Sequence, residues 1–309
     1  MGCTTSTLDF EIDGHQISII KEISTGGFSQ IFLAQDISSK EKFAVKRITC
    51  SSREEIHRVK QEISIHKQLG HYEHVLRLVG AFEEIDPRGQ YGRFSIVMPL
   101  CEQGSLYDEL LRRSKTKNFM ELSLVLSLFS QMCSAVSYLH HARPAIAHRD
   151  IKPGNFLFEK SNYISLIDFG SCMQCPVHIA DGRKSRQMID ESAEFCSMTY
   201  RPPELFTCEI GTTLSEKIDI WSLGCVLYAL CYFVSPFDKV FERGDSVALA
   251  AQSARLDFDS DAPYDASMQK LIRDILKVDP EERPPISNVQ QMVQEFLVSK
   301  NPQNGSSHK

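Results

Sequence analysis

The chain has 309 residues, 42% of them hydrophobic and 24% charged, a composition that argues against a disordered or fibrous protein and leaves room for one large folded domain. A formal charge of -6 speaks against an overall nucleic-acid-binding surface, so no nucleic-acid partner is expected. The ten cysteines are scattered, with no secretory apolar segment ahead of them, which points to a reducing cytosolic environment rather than a disulfide framework.

The chain opens Met1-Gly2-Cys3-Thr4-Thr5-Ser6, the pattern in which removal of Met1 exposes Gly2 for myristoylation; the plainer reading is an ordinary polar tail. One myristoyl chain holds a membrane only marginally. Asp9, Glu11 and Asp13 exclude a local polybasic second signal, so palmitoylation of Cys3 is the expected partner modification. Leu8 to Ile12 alternates apolar with acidic residues, Asp13-Gly14 supplies a hairpin turn, and Ile17 to Ile23 resumes the strand pattern. Residues 1–16 therefore read as a lipidated segment carrying an extra strand.

Next comes Ile23-Ser24-Thr25-Gly26-Gly27-Phe28-Ser29-Gln30-Ile31. A glycine-rich turn lets backbone N–H groups approach phosphate oxygens, although Gly-Gly is also a common hairpin turn. One strand and turn later, Phe43-Ala44-Val45-Lys46 closes an apolar run with a lysine, which in isolation is more often a solvated strand end. A helix is expected over Ser52 to Leu69, with Ser52 and Glu55 as a capping box and Gly70 as its stop. Ile56, Val59, Ile63 and Leu69 face inward. Glu62 borders that face and is the candidate to orient the Lys46 ammonium; the alternative is a solvated helix acid. Glu54 and Glu55 lie in the first turn, where they serve the helix dipole.

Arg93 to Leu100 reads as a strand that runs into the turn Cys101-Glu102-Gln103-Gly104-Ser105-Leu106. Leu122 to His141 is a long apolar-periodic helix. His148-Arg149-Asp150-Ile151-Lys152-Pro153-Gly154-Asn155 follows, and then Asp168-Phe169-Gly170. Phosphoryl transfer needs an acceptor for a hydroxyl proton and oxygen ligands for Mg²⁺, and these two segments offer both. Taken singly, Asp168 is also a turn acid and Asn155 a loop residue. Cys172 and Cys175 form a C-x-x-C pair without two further metal ligands and read as plain loop cysteines. Within the long segment from Asp168 to Glu204, Ile189 to Phe195 predicts a short helix, and Arg183-Lys184-Ser185-Arg186 reads by default as a solvated loop. Ile218 to Val234 is the most apolar run. It carries Asp219, Ser222 and Gly224 and falls short of a bilayer span, so a buried helix is expected.

The glycine-rich loop, Lys46, Glu62, Asp150, Asn155, Asp168, Pro203-Glu204, Asp219 and Arg283 come in an order that resembles the eukaryotic protein kinase family from about Ile17 to Leu297. Lys152 is similar to the serine/threonine class. The Ser-Thr-Gly-Gly-Phe-Ser loop and the Met-Gly-Cys start resemble the Numb-associated kinases, in particular their myristoylated and palmitoylated branch. The resemblance implies an α+β, two-lobed fold. A small antiparallel β lobe with one helix would span 17–100, a larger mainly helical lobe 101–297, and a polar tail 298–309.

It also implies roles. Asp150 would take or orient the substrate hydroxyl proton, and Lys152 would steady the γ-phosphoryl group. Lys46, held by Glu62, would reach the α- and β-phosphates of ATP. Ile23, Ser24, Thr25, Gly26, Gly27, Phe28, Ser29, Ile31, Ala44, Met98, Pro99, Leu100, Cys101 and Leu157 would surround the nucleotide. Pro99 has no N–H, so Leu100 or Cys101 must donate to adenine. Asn155 and Asp168 would hold Mg²⁺ or Mn²⁺. Asp219 would brace the His148-Arg149 turn, Glu204 and Arg283 would pair to anchor the segment before them, and Ser197 would bridge Asp150 and Lys152 where a threonine is usual. Arg149 would meet a phosphate placed on Ser185, Ser192, Ser197 or Thr199. Partners implied are proteins with serine or threonine hydroxyls and, through the lipids, the cytosolic face of Golgi, vesicle or plasma membranes, with a cytoplasmic pool besides.

The chain departs from the family pattern at Ser24 and Ser29, which replace the outer glycines of the phosphate loop, and at Pro202, which replaces the usual alanine before Pro203-Glu204. Two other classes stay open at this stage. One is a kinase-like scaffold that binds nucleotide without transfer, against which the retention of Lys46, Glu62, Asp150, Asn155 and Asp168 weighs. The other is a kinase of lipids or small molecules, against which Lys152 and Tyr200-Arg201-Pro202-Pro203-Glu204 weigh.

Overall fold

Asp13 and Gly14 take φ values of 46° and 81°, the left-handed pair that a two-residue hairpin turn requires. They join β1 (Phe10–Ile12) to β2 (His15–Thr25), with Ile12 opposite His15. A computed structural model describes residues 9–27 and 29–300, so Leu8 at the start of the expected strand and Phe28 in the glycine loop lie outside the described residues. β3 (Gln30–Asp36), β4 (Lys42–Cys50), α1 (Arg53–Leu69), β5 (Gly80–Ile85) and β6 (Gly92–Pro99) follow. The strands form one antiparallel sheet in the order β1-β2-β3-β4-β6-β5.

Register decides what each face of this sheet does. Phe43 and Val45 of β4 point with Ala34 and Val97 into a core shared with Phe10, Ile12, Ile17 and Val79. The β1 hairpin thus covers one face, where Phe10 stacks on Phe82 at 5.1 Å. Alternation sends Ala44 and Lys46 to the other side, opposite Met98 and Ile96 on β6 and Leu33 and Ile31 on β3. α1 contacts β4 and β6. Its Ser52 cap accepts the Glu55 N–H at 3.2 Å, but the Glu55 carboxylate turns to the Ser51 N–H at 2.7 Å, so the reciprocal half of the expected box goes one residue back. Gly70 ends the helix without a left-handed conformation. A Cβ there would lie 2.9 Å from the His66 carbonyl oxygen, so close approach rather than a positive φ calls for glycine.

The described residues up to Gln103 together with Ile167–Gly170 form this compact unit, and Gly104–Leu166 with the described residues from Ser171 onward form a second. The second unit begins with α2 (Leu106–Ser114), entered through a complete Ser105/Asp108 capping box, and α3 (Leu122–His140). α3 is long and apolar enough to cross a membrane by length and composition. Here its Val125, Phe129, Met132 and Val136 are buried, and it packs on the later helices Lys217–Tyr232 and Ile286–Lys300 and on short strands. β7 (Ala145–Ala147) precedes the hairpin β8 (Phe156–Lys160) and β9 (Tyr163–Leu166); β10 (Met173–Cys175) returns to pair with β7. Then come β11 (Val177–His178), α4 (Gly182–Phe195), α5 (Glu204–Thr207) and β12 (Thr213–Leu214), the last paired with β11.

The remaining helices are α6 (Lys217–Tyr232), α7 (Asp238–Glu242), α8 (Val247–Ser253), α9 (Ala266–Ile275) and α10 (Ile286–Lys300), so α10 extends past Leu297. Every residue of α6 from Ile218 to Tyr232 is buried. Each fully buried leucine or valine there contributes about 1.5–3 kcal/mol. That outweighs the roughly 1 kcal/mol by which Gly224 disfavours the helix.

α4 differs from the sequence expectation. It starts seven residues before Ile189 and takes Arg183-Lys184-Ser185-Arg186 into the helix rather than a loop. Asp181 makes this possible, because its carboxylate caps the Lys184 N–H at 2.8 Å, and burial of Met188 and Ser192 fixes the inward face. Of the two cysteines read as loop residues, Cys172 lies in irregular backbone while Cys175 lies on β10, and both are buried.

Candidate active site

In the first unit the Lys46 ammonium donates to Glu62 Oε1 at 2.7 Å and to Asp168 Oδ1 at 2.8 Å. β4 supplies the lysine, the inward stripe of α1 supplies Glu62, and the turn at 167–170 supplies Asp168. Burial pulls the lysine toward its neutral form, yet Asp168 and Glu62 together outweigh it and hold the ammonium above the usual lysine range. Burial raises the Glu62 carboxyl, and Lys46 opposes that rise. Asp168 sits at φ 66°, a left-handed conformation unusual outside glycine, which marks a turn held by its surroundings. Next to it, Phe169 is buried against the His66 ring at 4.9 Å, while His66 Nε2 meets the Leu76 carbonyl at 2.7 Å.

Of the residues expected around a nucleotide, Ile23, Ser24, Thr25, Gly26 and Gly27 are exposed on the end of β2 and the turn after it, where the Gly26 N–H bonds the Ser29 carbonyl at 2.8 Å. Ile31, Ala44 and Met98 share the sheet face with Lys46. Pro99 ends β6, and Leu100 and Cys101 follow it half-buried.

The second unit holds the other cluster. Asp150 Oδ2 lies 2.8 Å from Lys152 Nζ and accepts from Asn155 Nδ2 at 3.1 Å; its Oδ1 accepts the Ser197 N–H at 2.9 Å. Asn155 Nδ2 also donates to the Asp150 carbonyl at 2.8 Å, so both amide hydrogens serve Asp150 and Oδ1 is the end left to act as an acceptor. Lys152 Nζ donates to Ser197 Oγ at 2.8 Å, so Ser197 touches Lys152 through its hydroxyl and Asp150 through its backbone N–H. Leu157 lies half-buried on β8.

Beneath this loop, fully buried Asp219 accepts the backbone N–H groups of His148 at 2.7 Å and Arg149 at 2.8 Å. These bonds hold Arg149 at φ 68° and so aim the next residue, Asp150. Arg283 makes a two-pronged pair with Glu204, at 2.7 and 3.1 Å, and donates further to the carbonyls of Lys277, Lys217 and Val278.

One expectation needs correction. Ser192 is fully buried on the inner face of α4, so its hydroxyl is not presented for phosphorylation. Arg149 Nη1 donates to the Glu191 carboxylate of α4 at 3.3 Å. Ser185, Ser197 and Thr199 are half-buried. Sequence reasoning also missed His140, whose Nε2 lies 3.0 Å from Asp219 Oδ2, and Ser171, whose hydroxyl donates to the His148 carbonyl. No local pattern marks either, because their partners lie 79 and 23 residues away.

A carboxylate bonded to a lysine and an amide in the second unit and, in the first, a lysine gripped by two acids are each groups of the kind that phosphoryl transfer from a nucleotide uses, and their amide and carboxylate oxygens suit a hard cation. The protein kinase domain family matches residues 17–295. The chain belongs to the protein kinase family. Among similar proteins, serine/threonine-protein kinase 16 of Homo sapiens is 32% identical over 284 residues, covering 92% of this chain and 91% of that one. Its Mus musculus counterpart is 30% identical over the same span. Serine/threonine-protein kinase ppk13 of Schizosaccharomyces pombe is 28% identical over 306 residues, with 88% of each chain covered. The kinase is thus a serine/threonine protein kinase of the Numb-associated branch, and membership implies ATP and a divalent metal.

Proposed function

We propose that this kinase transfers the γ-phosphoryl group of ATP to serine or threonine hydroxyls of proteins at the cytosolic face of a membrane. Asp150 receives or orients the hydroxyl proton, and Lys152, bonded to it and to Ser197, steadies negative charge on the transferred group. Lys46 remains charged between Glu62 and Asp168 and offers that charge to the phosphates. Asn155 and Asp168 present oxygen donors of the type Mg²⁺ or Mn²⁺ takes; the ion, when bound, offsets charge on the phosphates. Catalysis of this kind is positioning and electrostatics, which accounts for the density of hydrogen bonds around Asp150.

Met1-Gly2-Cys3 at the start of the chain carries the membrane part of this reading. Gly2 and Cys3 lie outside the described residues. A myristoyl chain on Gly2 and a palmitoyl chain on Cys3 would together give the two signals that stable attachment requires. Golgi, vesicle and plasma membranes are the proposed sites, with a cytoplasmic pool formed when the palmitoyl group is absent.

Transfer of labelled phosphate to a generic protein substrate, compared with Asp150→Asn, tests the chemistry, and phosphoamino-acid analysis tests the acceptor. Equal labelling by both proteins would overturn the role of Asp150. Mass spectrometry of the native protein tests the lipids independently: an unmodified Gly2, or a Cys3→Ser variant that fractionates with membranes like the wild type, removes the membrane part alone.

A further inference from the structure

α4 carries its charges against its own stability. The positive end of a helix macrodipole lies at the N-terminus and favours acids there, yet Gly182-Arg183-Lys184-Ser185-Arg186 opens α4 with three cations, its first turn holds no acid, and Glu191 and Glu194 stand near its end. An arrangement that the helix itself disfavours calls for another reason. Arg183 and Arg186 are exposed, and spacings of three and four place them with Asp190 on one stripe, opposite the buried Met188 and Ser192. Elsewhere in this unit exposed cations have acids at hand: Arg112 pairs with Glu109, Arg243 with Asp245 and Lys270 with Asp274. Among the described residues Arg183 and Arg186 have no ion pair, and Lys184 reaches the neutral Gln187 at 3.4 Å.

The helix that presents these arginines ends at the reacting carboxylate. Two residues after Phe195, the Ser197 N–H donates to Asp150 Oδ1 at 2.9 Å. At about 1.5 Å of rise per residue, Arg186 and Arg183 stand about 14 and 18 Å back along the axis from Phe195, a span that an extended substrate covers in roughly four to seven residues. Two guanidinium forks one turn apart match the carboxylates of an acidic peptide. A flat anionic lipid surface fits less well, because Asp190 shares the stripe one turn farther on.

We infer that Arg183 and Arg186 dock an acidic segment of the protein substrate, and so select sites with acids at that distance from the phosphorylated serine or threonine. The inference rests on proteins being the acceptors, as proposed above, and is independent of membrane attachment.

The test uses the full chain and peptides built around a serine or threonine that it labels in a generic protein substrate. Each peptide carries a Glu-Glu pair stepped outward on either side of the acceptor, or Gln-Gln at the same places. At one such step Glu-Glu should lower the peptide KM about threefold to tenfold with kcat unchanged, and added salt should remove the gain. Arg183→Glu/Arg186→Glu should abolish the gain yet label the Gln-Gln peptides at the wild-type rate, and because acids suit a helix N-terminus its melting temperature should not fall. Arg183→Gln/Arg186→Gln should lose the gain without reversing the charge. Glu-Glu and Gln-Gln peptides of equal KM at every step overturn the inference, as does a gain that survives in both variants. Sedimentation with phosphatidylserine vesicles covers the other anion: vesicle binding lost in both variants while the peptides stay equal assigns the arginines to lipid and overturns the inference. A wild type that labels no protein removes the kinase chemistry, and the inference with it.

Discussion

Gly170 lies so close to Glu62 that a Cβ on it would sit 3.0 Å from Glu62 Oε2. That carboxylate holds Lys46 through its other oxygen at 2.7 Å, so the glycine of the Asp168 turn and the lysine of β4 are coupled through one side chain. Gly170→Ala should displace Glu62 by a few tenths of an ångström and lower kcat/KM for ATP about threefold to tenfold. Glu62→Gln removes the charge, leaves Lys46 with Asp168 as its remaining acid, and should cost about a hundredfold in kcat/KM. Initial rates at varied ATP, with melting temperatures to exclude unfolding, check both. Equal kcat/KM for wild type and Glu62→Gln would show that the pair is dispensable.

The Asp219 carboxylate is fully buried and takes two backbone N–H groups plus His140. Asparagine has the same shape but turns an NH₂ group toward one of those donors. Asp219→Asn should therefore destabilise the second unit by about 3 kcal/mol, through a broken buried network. It should also lower kcat more than KM, because Arg149 loses the tie that keeps its left-handed conformation. Thermal melts and steady-state kinetics read the two effects separately.

His66 supplies a pH dependence. Burial, the main cause, lowers its pKa below the ordinary 6.5, and the bond to the Leu76 carbonyl opposes that only in part. Below 6.5 the unfolded chain binds a proton that the folded one resists, so the contribution of His66 is complete above 6.5 and declines as pH falls through the folded pKa. Unfolding free energy measured at pH 7, 6 and 5 should drop, and His66→Gln, which can still donate to Leu76, should flatten part of that drop. A wild-type slope unchanged in His66→Gln would assign the dependence to other groups.

Much of this was legible because periodicity and spacing are local. Glu62 could be paired with Lys46 because it borders the inward face of α1, whereas the bracing role of Asp219 came from the family resemblance and from the cost of an unpaired carboxylate in an apolar run. α4 was half missed. The basic run Arg183-Lys184-Ser185-Arg186 reads as loop, whereas the Asp181 cap and the burial of Met188 and Ser192 decide for helix, and burial is a tertiary fact. Ser192 was misread for the same reason. His140 and Ser171 were invisible since each has its partner far along the chain, and no residue type at either position signals it.

The Glu204–Arg283 pair allows a test of geometry against charge. The Arg283 side chain is fully buried, and it meets Glu204 with two nitrogens while the same guanidinium satisfies the carbonyls of Lys277, Lys217 and Val278 and lies over the Trp221 ring at 5.4 Å. Lysine keeps the charge but offers one compact ammonium that cannot reach all these acceptors. Arg283→Lys should thus be nearly as damaging as Arg283→Ala, each costing about 3–5 kcal/mol as a broken buried pair. Glu204→Gln should cost less than either, since a glutamine oxygen still accepts one guanidinium bond and the carbonyl contacts remain. Denaturant titration of the three variants gives the ranking, and an Arg283→Lys variant near wild-type stability would mean that charge, rather than the planar fork, holds this corner of the fold.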